Sequence, residues 1–461
     1  MAIIPAPAGL PQDGWYFLAV FFATLLALIL ETFPPALTGL IGVLVATVLM
    51  LVPASAGVPA TPSSSIGWAL SSFSNRVVWL VFGALVYALG YEKSGLSKRL
   101  ALILIKFFGR NTLGLGYAVA FADLSLAPFM SCVTSRSAGT IYPILTKIPS
   151  LFEKESPQAG AYVGRYIMWT AIATTCVTSS MFLTGLAPNA LSLSIAENLA
   201  SVHISWFDWW LAFLPAGLLL FFSVPLISYF LYSPKIKSSQ LVADWARNEL
   251  TSLGPMRKNE WIMLGLISFV ILAVIFGGKY FTSTTIALSI TILMVLFKVI
   301  SFDDILSNKK AWNILIWFAC LITLATGLKK TGVSIWFSYL LTDVFQGYST
   351  QNLIILLTLS YFVLHYLFAS VAAHTTALLP IFITIGLSIP GANMYVLSLM
   401  LALSLGLMGI ISPYATGPSP IYYNSGYIKR RDYWWLGLSF GTIYILTHLL
   451  VSYNWIMNFL I

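Results

Sequence analysis

Apolar stretches of about 20 residues, each long enough to cross a hydrocarbon core as a helix, follow one another along almost the whole chain. They lie at 15–33, 35–53, 77–92, 163–187, 205–232, 260–278, 282–302, 311–328, 392–415 and 433–459. With 59 % hydrophobic and 8 % charged residues among 461, no single aqueous core could enclose these stretches, so lipid must serve as solvent. They lack the alternation of a lipid-facing barrel strand. The expected fold is therefore an all-α integral membrane protein. Two further apolar stretches, 112–148 and 352–387, are broken midway by polar and small residues. Each is expected to enter the membrane and return as a helical hairpin.

A net charge of +9 could point to nucleic acid, but the basic residues are scattered through short connections between apolar stretches. Topology is the better reading: cationic loops stay in the cytoplasm. That places Lys93 to Arg110, Lys235 to Lys258, Lys309/Lys310 and Lys429 to Arg431 inside, leaves Arg76, Lys279, Lys329 and Lys330 opposite, and puts both termini outside the cytoplasm. Met1 to Gly14 has neither a basic signal region nor transit-peptide composition. An uncleaved protein of a bacterial inner membrane is expected, with an organellar inner membrane as the alternative. Cys132, Cys176 and Cys320 have no metal-binding spacing, so neither disulfides, metal nor cofactor is expected. Glu31, before Phe33-Pro34-Pro35, reads as an interfacial carboxylate, and most of the 15 tryptophans and 22 tyrosines as interface belts.

An internal repeat organises the chain. Gly90 to Gly95 recurs as Gly327 to Gly332, Leu70-Ser71 as Leu306-Ser307, and Pro143-Ile144 as Pro380-Ile381, at offsets of 236 or 237. Five crossings and one hairpin per half would invert the second half relative to the first. The expected division is 1–233, a cytoplasmic linker at 234–259, and 260–461. In that linker, 241–247 reads equally as a short surface helix or plain connection. Amphipathic stretches at 94–110 and 332–346 are expected to lie in the interface as arms.

The hairpin tips read Ser131 to Gly139 and Phe368 to Thr376, and two later helices break at Thr184 to Asn189 and Ala415 to Pro420. Breaks at membrane depth expose helix N-termini, whose N–H groups suit carboxylates. The candidate substrate ligands are Thr134, Arg136, Ser370, His374, Asn189, Thr416 and Ser419, with Gly185, Pro188, Gly417 and Pro418 shaping the breaks. Arg136 and His374 are 238 residues apart and occupy equivalent places in the two hairpins. A cation at that depth is costly. Anion neutralisation is the favoured reading for Arg136, with a tie of hairpin carbonyls or a cytoplasmic interface anchor as the others. His374 reads as a ligand or as a packing residue. Asp123 can pair with Arg136 or cap a helix, but its counterpart is Tyr361, so symmetry gives it no substrate role. His203, His365 and His448 read as core or interfacial, and Tyr422 and Tyr423 as possible cavity lining.

The runs ATGPSPIYYNSGYI at 415–428, TSRSAGTIYPI at 134–144, SVAAHTTALLPI at 370–381 and WNILIWFACLITLATGL at 312–328 resemble the divalent anion/sodium symporter family. The most similar branch is that of the 2-oxoglutarate/malate translocators and citrate/succinate exchangers. The resemblance implies a homodimer carrying di- or tricarboxylates by an elevator movement of the hairpins. It also implies a Ser-Asn-Thr triplet at each tip, binding carboxylate and, in the sodium-coupled branch, sodium. Here the triplets read Cys132-Val133-Thr134 and Ser370-Val371-Ala372, and valine offers a cation no oxygen. The expected function is a sodium-independent obligate dicarboxylate exchanger, in which Arg136 and His374 replace two sodium charges. A sodium-coupled symporter and an anion channel are the alternatives. The absence of HExxH and paired aspartates points away from an intramembrane enzyme.

Overall fold

The computed structural model describes residues 4–461 apart from 31, 56, 154–155, 277–279 and 346, so Glu31 and Lys279 lie outside the described residues. The first half forms α1 (Gln12–Ile29), α2 (Pro35–Val48), α3 (Pro62–Ser71), α4 (Arg76–Ser94), α5 (Leu96–Phe108) and α6 (Thr112–Leu126). The chain turns at 127–133 and returns through π-type turns at Thr134–Ile141, α7 (Tyr142–Leu145) and α8 (Ile148–Glu153). α9 (Pro157–Met181), α10 (Ala187–Ala200) and α11 (Trp206–Leu231) follow, and α12 (Gln240–Leu253) joins the halves. The second half forms α13 (Lys258–Phe276), α14 (Ser283–Leu296), α15 (Phe302–Leu306), α16 (Lys309–Lys330) and α17 (Val333–Phe345). It closes with α18 (Thr350–Leu364), α19 (Val371–Leu387), α20 (Met394–Leu407), α21 (Ser419–Tyr423), α22 (Arg430–Thr447) and α23 (Tyr453–Phe459).

Both hairpins are present as helix pairs, α6 with 134–153 and α18 with α19, the first running five residues beyond the expected end. Their non-helical tips lie at 127–133 and 365–370, so Arg136 and His374 belong to the first turns of the returning limbs. The first limb starts as loose π-type turns because TSRSAGTI is rich in hydroxyls and glycine, poor helix formers that bond to nearby backbone. Thr140, for example, donates to the Ser135 carbonyl at 3.2 Å.

The recurring Gly90–Gly95 and Gly327–Gly332 motifs end α4 and α16. Gly95 and Gly332 take φ of +84° and +78°, a left-handed turn open to glycine that redirects the chain into the arms α5 and α17. Equal lengths recur at equivalent places: 13 residues for α5 and α17, 15 for α6 and α18, 14 for α2 and α14. α14 packs on α4 as α2 packs on α16.

Among the described residues, five helical segments are long and apolar enough to cross a membrane alone: Arg76–Ser94, Trp206–Leu231, Lys309–Lys330, Thr350–Leu367 and Arg430–Phe459. The stretches expected to span at 35–53 and 282–302 instead give helices of 14 residues, about 21 Å long and short of a hydrocarbon core of about 30 Å. The chain at 241–247 is part of the longer helix α12, which buries Val242, Ala243 and Ala246 against α5 and α8. Beside it, buried Arg99 of α5 donates to Glu260 of α13 at 2.6 Å and to the Gly254 carbonyl at 2.9 Å, clamping the linker between the halves.

Candidate transport site

The four breaks meet. At the first tip the Ser131 carbonyl accepts from the Ala187 N–H at 3.1 Å and the Pro128 carbonyl accepts from Thr184 Oγ1 at 2.6 Å, joining tip one to the 182–186 break. Thr134 Oγ1 lies so close over Gly417 that a Cβ there would run into it, which is why this break carries glycine. At the second tip the His365 Nε2 lies 2.9 Å from the Ala415 carbonyl, joining tip two to the 411–418 break. Between them is a cavity of about 10 Å³ lined by Val133, Thr175, Cys176, Ser179, Leu186, Val371, Leu405, Gly406 and Thr416. That is room for about one water. Val133 and Val371, the middle residues of the two triplets, face the same space.

An electropositive helix end meets these walls. α19 starts after Ser370 without a side-chain cap, so its first-turn N–H groups are left without intrahelical acceptors, whereas at the start of α10 the Ala187 N–H is taken by the Ser131 carbonyl, Pro188 has none and the Asn189 N–H donates to the Leu186 carbonyl. Ser370 and Thr134 are half-buried at their tips.

Arg136 corrects the expectation of a cation facing substrate. Its Nε donates to Asp123 Oδ1 at 3.3 Å, its Nη1 to the carbonyls of Gly185 at 2.6 Å and Met130 at 3.0 Å, and its Nη2 to Ser179 Oγ at 2.8 Å. Thr175 donates to the same Asp123 Oδ1 at 2.8 Å and Thr178 to its Oδ2. The pair is fully enclosed, its side chains 0 % and 1 % exposed. A guanidinium can satisfy this many oxygens in a plane, so here it ties α6, the returning limb, α9 and the first break together. Of the three readings, the anion ligand, the carbonyl tie and the interface anchor, this geometry fits the carbonyl tie.

His374 does not line the cavity either. Its ring is buried against Tyr361, His365 and Phe368, with centroids 4.3, 4.9 and 5.1 Å away. Asn189 and Ser419 also face away from it. Asn189 Nδ2 donates to the Ser179 and Phe182 carbonyls at 2.8 and 3.1 Å, sealing the frayed end of α9, and Ser419 Oγ donates to the Gly409 carbonyl at 3.3 Å. Pro188 sits in the first turn of α10, where its missing N–H costs nothing, and Gly417 and Pro418 stay outside helix.

Several participants were not singled out from the sequence. Thr174 to Ser180 packs five hydroxyl residues into about two turns of α9, a density unusual in an apolar span and a usable signal. Tyr422, expected as possible lining, donates to the Ser137 carbonyl at 3.1 Å and so links the two halves behind the cavity. Lys310, read only as a topology marker, is exposed at the start of α16 and donates to Ser135 Oγ beside the first tip at 3.3 Å.

Over residues 1–461 the chain matches the family described as the sodium:sulfate symporter transmembrane region. It belongs to that family. It is 42 % identical, over 99 % of its own length and 95 % of theirs, to proteins named L-tartrate/succinate antiporter in Shigella sonnei and Escherichia coli K12. Among solved structures, the Alcanivorax borkumensis YdaH transporter superposes with a TM-score of 0.61 at 14 % identity, covering 97 % of this chain and 98 % of that one. Neisseria gonorrhoeae MtrF superposes at 0.57 with 12 % identity, covering 98 % and 96 %. At such identity these two establish the fold, that of a multi-pass membrane transporter.

Proposed function

We propose that the chain is a secondary transporter that exchanges C4 dicarboxylates of the tartrate and succinate type, without sodium, by elevator-type alternating access. The observation that carries this reading is the shared cavity: two hairpin tips and two helix breaks wall one space, and both positions at which an asparagine could offer oxygen to a cation are valine. The relatives named as antiporters of these two dicarboxylates support the substrate class.

Thr134, Ser370 and Thr416, with the N-terminus of α19, hold the carboxylates. At about 10 Å³ the cavity in this arrangement admits no dicarboxylate. Substrate must part the tips. Positive charge reaches the dianion from groups that stay in the protein: the N-terminus of α19, His374 from behind tip two, and Lys310 from the cytoplasmic approach, Arg136 behind tip one being balanced by Asp123. A carrier whose compensating charges do not leave with substrate returns only with another anion, hence exchange.

The same reading takes the equal-length helix series as two inverted repeats, with α12 in the linker, in a homodimer of the bacterial inner membrane. A closed cavity between two tips argues for a carrier over a channel. Counterflow in proteoliposomes tests the substrate class: unlabelled tartrate, succinate or malate inside should accelerate uptake of labelled succinate, and sulfate should not. Acceleration by sulfate alone would refute it.

A further inference from the structure

The two hairpins are braced at equivalent places by chemically different pairs. In the first, Asp123 on the outgoing limb faces Arg136 on the returning limb as a buried ion pair. In the second, 238 residues on, Tyr361 faces His374, ring centroids 4.3 Å apart. Charge satisfied in one brace is missing from the other.

The second brace is left incomplete. His374 is fully buried, and neither Nδ1 nor Nε2 has a hydrogen-bond partner. His365, also fully buried, uses Nε2 on the Ala415 carbonyl, which makes that nitrogen the N–H donor and leaves Nδ1 a bare lone pair with no partner. The rings are 4.9 Å apart, nearly perpendicular. One neutral imidazole thus carries an unused N–H and an unused lone pair next to another unused lone pair. Buried polar atoms are rarely left so. His448 shows the ordinary alternative, being equally buried but with Nδ1 on Ser452 Oγ at 3.0 Å and Nε2 on the Met400 carbonyl at 2.9 Å.

Among the described side chains packed on α19 none supplies a counter-charge: α18 and α20 carry no charged residue, Glu197 of α10 is paired with Arg76, Asp13 of α1 is exposed and Tyr339 of α17 is exposed, while the side chain of Asp343 in α17 lies outside the described residues. A charge on either ring is without a facing anion there. The anion that would reverse this is the substrate: His374 lies one turn into α19, its N–H on the Ser370 carbonyl at 3.0 Å, and His365 is bonded to the residue before Thr416.

We propose that His374 and His365 form a proton site filled on substrate binding, so that the loaded carrier holds one proton more than the empty one. The proton comes from bulk water and converts one neutral imidazole to imidazolium, with the other as acceptor, and it leaves when the dicarboxylate leaves. No electron moves and no co-reactant is needed. Because both directions of exchange carry one proton with each dianion, turnover is proton-neutral and a pH-gradient assay is blind to it. This inference rests on the transport-site reading above.

The test is calorimetric titration of the full-length protein in detergent at pH 7 with tartrate, in sodium-free phosphate and Tris buffers of different ionisation enthalpy. Tartrate carboxyls titrate near 4, so the ligand enters as a dianion. The buffer dependence of the binding heat should give between half and one proton taken up per tartrate. It should fall to zero in His374→Asn and His365→Asn and stay unchanged in His203→Asn, whose side chain is 65 % exposed. Binding with no proton uptake in the unmodified protein overturns the proposal without reference to how the variants fold, and so does equal loss in His203→Asn. Failure of any dicarboxylate to bind would instead bring down the transport-site reading, and this one with it.

Discussion

Removing both partners of the Asp123–Arg136 pair should harm the protein less than removing either one. In Asp123→Ala a guanidinium stays in a site with no solvent access, facing only neutral oxygens, at a cost of about 3–5 kcal/mol. In Arg136→Ala the carboxylate is stranded on Thr175 and Thr178, and the Gly185 and Met130 carbonyls lose their donor. At about 1–3 kcal/mol for each orphaned group, that variant falls at least as far. The double variant keeps the orphaned carbonyls but no buried charge. Its loss should fall short of the sum of the singles by more than the larger single loss, hence by at least about 3–5 kcal/mol, a coupling expected only of groups in direct contact. The assay is thermal unfolding in detergent followed by size-exclusion fluorescence. The double variant should melt above Asp123→Ala. Losses that add to within about 0.5 kcal/mol, or an Arg136→Ala protein as stable as the parent but unable to bind dicarboxylate, would refute the brace and restore Arg136 as a free ligand.

Gly417→Ala should cut exchange at least about tenfold, because its Cβ meets Thr134 Oγ1; adding Thr134→Ala should recover melting temperature but not transport. Asn189→Ala strands the Ser179 and Phe182 carbonyls at the end of α9 and should cost about 1–3 kcal/mol in the same unfolding assay. Lys310→Gln should raise the cytoplasmic-side KM for succinate about two- to fivefold, the scale of an exposed cation, with kcat unchanged. The gap should narrow in high salt, and an unchanged KM at low salt would remove Lys310 from the approach.

What could be read in the sequence was what local chemistry dictates. Length and apolarity gave the apolar helices, of which five among the described residues are long enough to span alone, glycine and proline punctuation gave the breaks, and amphipathic patterning gave the helices α5 and α17. The hairpins followed from polar residues interrupting apolar runs. Side-chain direction could not be read. Whether Arg136 faced substrate or protein depended on Asp123, Thr175, Ser179 and Gly185, up to 49 residues away, converging around it. The short helices α3 and α15 escaped the apolar count because their N-termini are set by hydroxyl caps, Thr61 with Ser64 and Ser301 with Asp304. Proximity of His365 and His374 was likewise invisible, since a tip of unknown geometry lies between them.

The central claim is exchange without sodium, and one measurement meets it directly: initial uptake of labelled succinate into proteoliposomes, with and without internal succinate, in sodium and in potassium media. Uptake should require internal dicarboxylate and be the same in both media. Sustained uptake into anion-free vesicles driven by an inward sodium gradient would contradict it.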